Sequence, residues 1–217
     1  TFFYRTTIQR IYHFKKSSLS QRIMKIVFAT QNQNKIKEIK PLFPKKYKIL
    51  SLDEIGFKGE ILENGNTLEE NAKIKADLIS KKYSIDCFAD DSGLEIEALK
   101  GDPGVFSARY AGAPKSDFKN IEKVLKLLSE KQNRKAQFRT VIALKTKYIS
   151  KTFEGVLKGT ISNNILGLNG FGYDPIFLPY GSSMTLGEYN KAMKNKISHR
   201  SIAVYKLIKF LKSNNKV

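Results

Sequence analysis

The chain has 217 residues, 41% of them apolar and 27% charged, which suits one globular domain whose core needs neither disulfides nor a structural metal. Its one cysteine, Cys87, excludes an internal disulfide, and with only His13 and His199 as histidines a Cys/His zinc site is not expected; any metal should be a hard cation on carboxylates, such as Mg²⁺. The net charge of +19 raises nucleic-acid binding, but only seven of the 39 basic residues are arginine and the lysines are spread along the chain, a diffuse pattern that marks no binding face.

Residues 1–23 hold five basic residues, no acidic one, and Ser17, Ser18 and Ser20, a composition like that of a targeting segment. Met24 directly precedes a good strand, so the segment is read as an extraneous or targeting extension, with a single domain over 24–217. No apolar run approaches the ~18 residues of a membrane span. The expected location is the reducing cytoplasm.

From Met24 onward strands and helices alternate. Lys25 to Ala29 is a strand, and Ile36, Ile39 and Phe43 then recur at helical spacing until Pro41 ends or kinks the helix. Tyr47 to Leu52 reads as a second strand. Thr67 to Lys82 reads as a helix, with Thr67 as N-cap and Glu70 three residues later. Cys87 to Ala89 is a short buried strand, followed by a glycine-permitted turn at Asp90 to Gly93 and an alternating strand, Leu94 to Leu99. Asp117 to Glu130 is an amphipathic helix. Ala136 to Leu144 and Ile149 to Leu157 read as strands, Gly167 to Gly172 as a glycine-rich loop, and Ser198 to Lys212 as a closing helix capped by Ser198. The mixture predicts an α/β fold around a central sheet.

Four constellations could carry chemistry. Thr30-Gln31-Asn32-Gln33-Asn34-Lys35 follows a strand and opens a helix, where backbone N–H groups attract anions and Lys35 adds a charge; a plain polar cap has the same composition, and the P-loop pattern is absent. In Ala89-Asp90-Asp91-Ser92-Gly93, two adjacent carboxylates repel unless a cation sits beside them, although a polar turn would also account for them. In Gly170-Phe171-Gly172-Tyr173-Asp174-Pro175, Phe171 can stack on a base and Asp174 can accept from a base N–H; a tight loop around a core aromatic is the alternative. Ser198-His199-Arg200, with Lys194 and Lys196 before it, gathers cations at a helix start. A Ser-His-Asp hydrolase would need a nucleophile elbow that the sequence lacks.

Taken together these pieces resemble the inosine triphosphate pyrophosphatase, or Ham1, family. The matching stretches run in family order: Thr-x-Asn-x-x-Lys at 30–35, Glu-Asn-Gly-Asn-Thr at 63–67 with Glu-Asn-Ala-Lys-Ile-Lys-Ala at 70–76, Ala-Asp-Asp-Ser-Gly-Leu at 89–94, Gly-Asp-Pro-Gly-Val-Phe-Ser-Ala-Arg-Tyr-Ala-Gly at 101–112, Gly-Phe-Gly-Tyr-Asp-Pro-Ile-Phe at 170–177, and Lys194 with Ser-His-Arg at 198–200. Each is weak alone; the ordered set is specific.

The resemblance implies an elongated, two-lobed α/β fold with a central mixed sheet and a cleft between the lobes, and a homodimer. It implies hydrolysis of ITP, dITP and XTP to monophosphate and pyrophosphate with Mg²⁺. Asp91 would be the proton acceptor and a metal ligand, with Glu63 the second metal carboxylate. Thr30 to Lys35, Lys75, Ser92, Lys194, His199 and Arg200 would contact the substrate, the cations mainly at phosphates, and Phe171 to Asp174 would form the base pocket. A donor to O6 would favour 6-keto purines over adenine, whose amino group would leave that donor unpaired.

Two departures from the family stand out: Gln31 where glycine is usual, and Gly187-Glu188-Tyr189 after Thr185, which is expected to loosen a helix there. The rivals are a pyrophosphatase for modified pyrimidine nucleotides of the Maf type and a basic nucleic-acid-binding module. The acidic residues Glu63, Glu69, Glu70, Asp90 and Asp91 argue against the latter, and no stable nucleic-acid partner is expected.

Overall fold

The computed structural model describes residues 23–214; the rest of the expected extension, residues 1–22, lies outside the described residues. Among the described residues strands and α-helices alternate up to β4, after which come two more strands and two helices: β1 (Met24–Phe28), α1 (Gln33–Ile39), β2 (Tyr47–Leu50), α2 (Leu68–Tyr83), β3 (Cys87–Ile96), α3 (Asp117–Leu127), β4 (Lys135–Lys145), β5 (Ser150–Ile161), β6 (Phe177–Pro179), α4 (Lys191–Ile197) and α5 (His199–Ser213). They form one mixed sheet in the order β2-β1-β3-β4-β5-β6, with β2, β1 and β3 parallel and the remaining pairs antiparallel.

The long strands β3, β4 and β5 pass through two lobes. In one lobe, Phe28, Phe88, Ile142 and Leu144 pack against α5 on one face of the sheet, while Ala29, Ala89, Val141 and Ala143 pack with α2 on the other. In the second lobe, Leu94, Ile96 and Phe138 pack with Ile121 and Val124 of α3 and with Phe177 of β6. Such alternation is what a strand buried on both faces requires.

The helix starts follow local chemistry. Thr67 Oγ1 accepts from Glu70 N at 3.1 Å, and the Glu70 carboxylate reaches back to Asn66 N at 2.7 Å, a capping box displaced by one residue. Ser198 Oγ accepts from Ser201 N at 3.1 Å at the start of α5. Helix α1 ends at Ile39, and Lys40–Leu42 tightens into a 3₁₀ turn around Pro41.

Several expectations are corrected. Asp90 to Gly93 is no turn: it is the middle of β3, paired residue by residue with Ile142 to Arg139 of β4. Gly93 serves a close approach instead, since a Cβ there would lie 2.4 Å from Gly104 O. The second strand stops at Leu50 rather than Leu52, and β6 and α4 were not anticipated. Residues 187–189 lie in turns ahead of α4 and not in a helix that they could loosen; Gly187 packs against Pro175, with room for no Cβ. Gln31 carries no backbone strain, and its side chain donates to Gly59 O at 2.9 Å.

Candidate active site

Strand β1 pairs with β3 only at Cys87 and Phe88. Beyond that point β1 turns away into Thr30, leaving one edge of β3 open from Asp90 to Gly93. A crevice outside the carboxyl end of a parallel strand is where open α/β sheets bind ligands. Here it opens into a cavity of about 660 Å³ between the lobes, lined by Thr30, Lys35, Glu63, Lys75, Asp91 and Phe171 among others.

Adjacent strand residues face opposite ways. Asp90 therefore points to the α5 face, where it is fully buried. Its Oδ2 receives Lys35 Nζ at 3.0 Å, Arg200 Nε at 3.4 Å and the Ser92 hydroxyl at 3.0 Å. With its proton on Asp90, Ser92 Oγ accepts from Thr140 at 2.7 Å. Burial alone would raise the Asp90 carboxyl, but Lys35 and Arg200 overcome it and hold it far below the usual carboxylate range.

Asp91 points to the α2 face and lines the cleft. Its Oδ2 accepts from Asn71 Nδ2 at 3.2 Å and its Oδ1 from Ser92 N at 3.0 Å, with Lys75 Nζ 3.5 Å away. Asn71 and Lys75 are one helical turn apart on α2 and so share a face. Asn71 also accepts from Gly65 N at 2.8 Å, which ties the Glu63 loop to the same point. Burial raises the Asp91 carboxyl despite Lys75, the direction that makes a carboxylate a better proton acceptor.

Lys75 Nζ lies 3.2 Å from Glu63 Oε1 as well as beside Asp91. Burial opposes its charge, and the two carboxylates more than compensate. An ammonium thus already occupies the space between two oxygen donors. Among the described residues no three His, Cys, Asp or Glu side chains form a complete cage. Two carboxylates completed by substrate phosphates and water is the mode Mg²⁺ favours, so Glu63 and Asp91 fit that ion.

At the other end of the cleft, Lys194 bonds both Glu38 of α1 and Asp174, and Arg200 pairs with Glu38 as well as Asp90. Glu38 is held low: burial would raise its carboxyl, but Arg200 and Lys194 overcome that. The Phe171 ring covers both cations, 4.7 Å from Lys194 Nζ and 5.4 Å from Arg200 Cζ. Phe171 N donates to Asp174 Oδ2 at 2.8 Å, the same oxygen that meets Lys194.

His199, expected among the residues that contact substrate, lines the same cavity. It is buried, its ring stacks on Phe138 at 4.6 Å and 13°, and its Nδ1 has no hydrogen-bond partner. Desolvation first, then Arg200 and Lys194, push it well below its ordinary value, so it is neutral at pH ~7. It sits there because α5 lies flush on β5: a Cβ at Gly155 would meet His199 O at 2.0 Å.

Lys194 likewise lies at the Phe171 end, beside the expected base pocket, while Lys35 and Lys75 flank the carboxylates. Thr30, Gln31, Asn32, Ser92, Gly172 and Tyr173 line the cavity; Gln33, Asn34 and Lys196 are not among its lining residues. Asn32 Oδ1 already caps Asn34 N and Lys35 N. Sequence reasoning missed Glu38, Asn71 and Thr140; Glu38 and Asn71 carried a signal, each on one helical face with a lysine already singled out, Lys35 and Lys75, and Thr140 carried none.

The Ham1 family model matches residues 26–210. The chain belongs to the Ham1 family. It is 50% identical over 188 residues to the dITP/XTP pyrophosphatase of Christiangramia forsetii, covering 87% of this chain and 99% of that one. It is also 50% identical over 190 residues to that of Flavobacterium psychrophilum, covering 88% and 100%. The Staphylococcus aureus Ham1 protein has the same fold, with a TM-score of 0.81 at 42% identity over 88% of this chain and 99% of that one. The mixed sheet and the cleft between the lobes are therefore the Ham1 architecture. Among the described residues no helix is long and apolar enough to cross a membrane.

Proposed function

We propose that this Ham1 protein hydrolyses ITP, dITP and XTP to the monophosphate and pyrophosphate, clearing deaminated purines from the nucleotide pool. The carrying observation is the half-identical, nearly full-length match to dITP/XTP pyrophosphatases, joined to a cleft with carboxylates and lysines at one end and an aromatic ring over two cations at the other.

In this reading the triphosphate lies along Lys35 and Lys75. Asp91 takes the proton from a water whose oxygen attacks the α-phosphorus, and the bond to the α–β bridging oxygen breaks, releasing pyrophosphate. Mg²⁺, held by Glu63 and Asp91, would neutralise developing charge on the phosphates. Asn71 orients Asp91 through its 3.2 Å bond. At the base end Phe171 stacks on the purine, and Lys194 and Arg200 are the donors available to O6. Adenine, offering an amino group there, would leave a buried donor unpaired. We further propose a cytoplasmic homodimer with no membrane and no stable nucleic-acid partner.

Phosphate release with added inorganic pyrophosphatase tests this reading across ITP, XTP, ATP, GTP, UTP, dTTP and 5-methyl-UTP. Turnover of ITP and XTP well above the others is expected. ATP turnover equal to that of ITP would overturn the specificity, and preference for the pyrimidines would favour the rival pyrophosphatase.

A further inference from the structure

The loop that carries Phe171 is held from two sides. Phe171 N donates to Asp174 Oδ2 inside the cleft at 2.8 Å, and the next amide, Gly172 N, donates to Asp117 Oδ2 at 2.7 Å, 55 residues away in sequence. Asp117 is the first residue of α3, whose start is capped by Ser116. Among the described residues Asp117 forms no salt bridge, so what it offers the loop is an oxygen acceptor.

Helix α3 is itself fixed to the catalytic strand. Asn120 Oδ1 accepts from Ala111 N at 2.7 Å, and its Nδ2 donates to Ser107 O at 3.3 Å. Tyr173 OH donates to the same carbonyl at 2.9 Å. Ser107 Oγ in turn accepts from Leu94 N of β3 at 2.9 Å. The Phe171 loop is thereby referenced to the strand that bears Asp91, and Asp117 is the contact that fixes Gly172. The two consecutive amides are both occupied by carboxylates, so this stretch presents its ring to a ligand while those two N–H groups stay engaged.

We propose that Asp117 is a positioning residue for base recognition: by holding Gly172 it sets the Phe171 ring over Lys194 and Arg200, and so governs affinity for the purine without touching the phosphates. The inference rests on the function proposed above.

The test combines amide hydrogen exchange of the 170–174 segment with steady-state kinetics on ITP for the full-length wild type and the variants Asp117→Ala, Asp117→Asn and Asp117→Glu. Asp117→Ala should speed exchange at Gly172 about tenfold and raise KM about fivefold, with kcat within about twofold, the scale of one lost hydrogen bond. Asp117→Asn keeps a short oxygen acceptor and should restore both readouts. Asp117→Glu keeps the charge at the helix start but not the reach, and should not. If Asp117→Ala does not fold, the Asn and Glu variants carry the same comparison. Unchanged exchange and KM in Asp117→Ala would overturn the proposal. So would rescue by Glu but not Asn, which would mean that the charge at the helix start is what counts. Should the wild type fail to hydrolyse ITP, the function reading falls, and the exchange order among the variants still decides whether Asp117 holds the loop.

Discussion

Asp90 and Asp91, neighbours in sequence, lie on opposite faces of β3 and answer to different cations: Asp90 to Lys35 and Arg200, Asp91 to Lys75. Each therefore has a cation of its own on its own face of the sheet. The two should respond oppositely to neutralisation. In Asp90 the charge is strongly favoured by the fold, and Asp90→Asn leaves Lys35 and Arg200 buried beside a neutral amide, at a cost of about 3 kcal/mol or more. Asp91 is raised by burial, so Asp91→Asn should leave stability within about 1 kcal/mol while lowering kcat at least ~100-fold through loss of the proposed proton acceptor. Urea unfolding and kinetics on ITP check both arms; a stable Asp90→Asn or an active Asp91→Asn would refute the assignment.

The sequence was most informative where a local rule is also the structural rule. Strand β1, the Thr67–Glu70 cap and the Ser198 cap all obey short-range chemistry, and all are where the sequence predicts them. The reading of Asp90 to Gly93 as a turn followed equally sound propensities, since aspartate and glycine are depleted in strands. Tertiary contacts override them: α1 and α5 deliver cations to Asp90, α2 delivers Lys75 and Asn71 to Asp91, and Gly93 makes room for Gly104. Glu38 and Asn71 share helical faces with Lys35 and Lys75, but what they bind is set only when the helices are docked. His199 reads as a cation only while its burial against Phe138 is unknown.

Lys75 stands between Glu63 and Asp91, so the amount of divalent cation needed should depend on Glu63. Glu63→Gln removes one hard donor and should raise the Mg²⁺ concentration for half-maximal turnover about tenfold, with activity recovered at high Mg²⁺. Chelation with EDTA should abolish wild-type turnover and added Mg²⁺ restore it. A Mg²⁺ titration at fixed ITP measures both, and an unaltered titration in Glu63→Gln would remove Glu63 from the proposed metal site.

Glu38 accepts from Lys194 and Arg200 together, and its carboxyl is held below the ordinary 4.5. A folded value below the unfolded one means stability that is fully present above pH ~4.5 and lost as the pH falls through the folded value. Glu38→Gln should therefore cost about 3 kcal/mol at neutral pH, and the gap to wild type should close under acid conditions. It should also raise KM for ITP, because Lys194 and Arg200 lose their common anchor. Denaturant midpoints from pH ~7 down to ~3 follow the gap; a constant difference would mean that the charge of Glu38 is not what matters.

His199 supplies the pH dependence nearer neutrality. Its folded value lies well below 6.5, so on acidification the unfolded chain takes up a proton that the folded protein refuses. Stability is thus complete above pH ~6.5 and declines as the pH falls below it, at no more than ~1.4 kcal/mol per pH unit for one group. The carboxylates held low contribute only below about pH 5, and those that burial raises, Asp91 and Asp174, are common to the wild type and a His199 variant. His199→Phe keeps a flat ring against Phe138 and removes the titrating nitrogen, so from about pH 6.5 to 5 the wild type should lose stability relative to the variant. Parallel slopes for the two proteins, measured by urea unfolding, would show that folding does not depress His199.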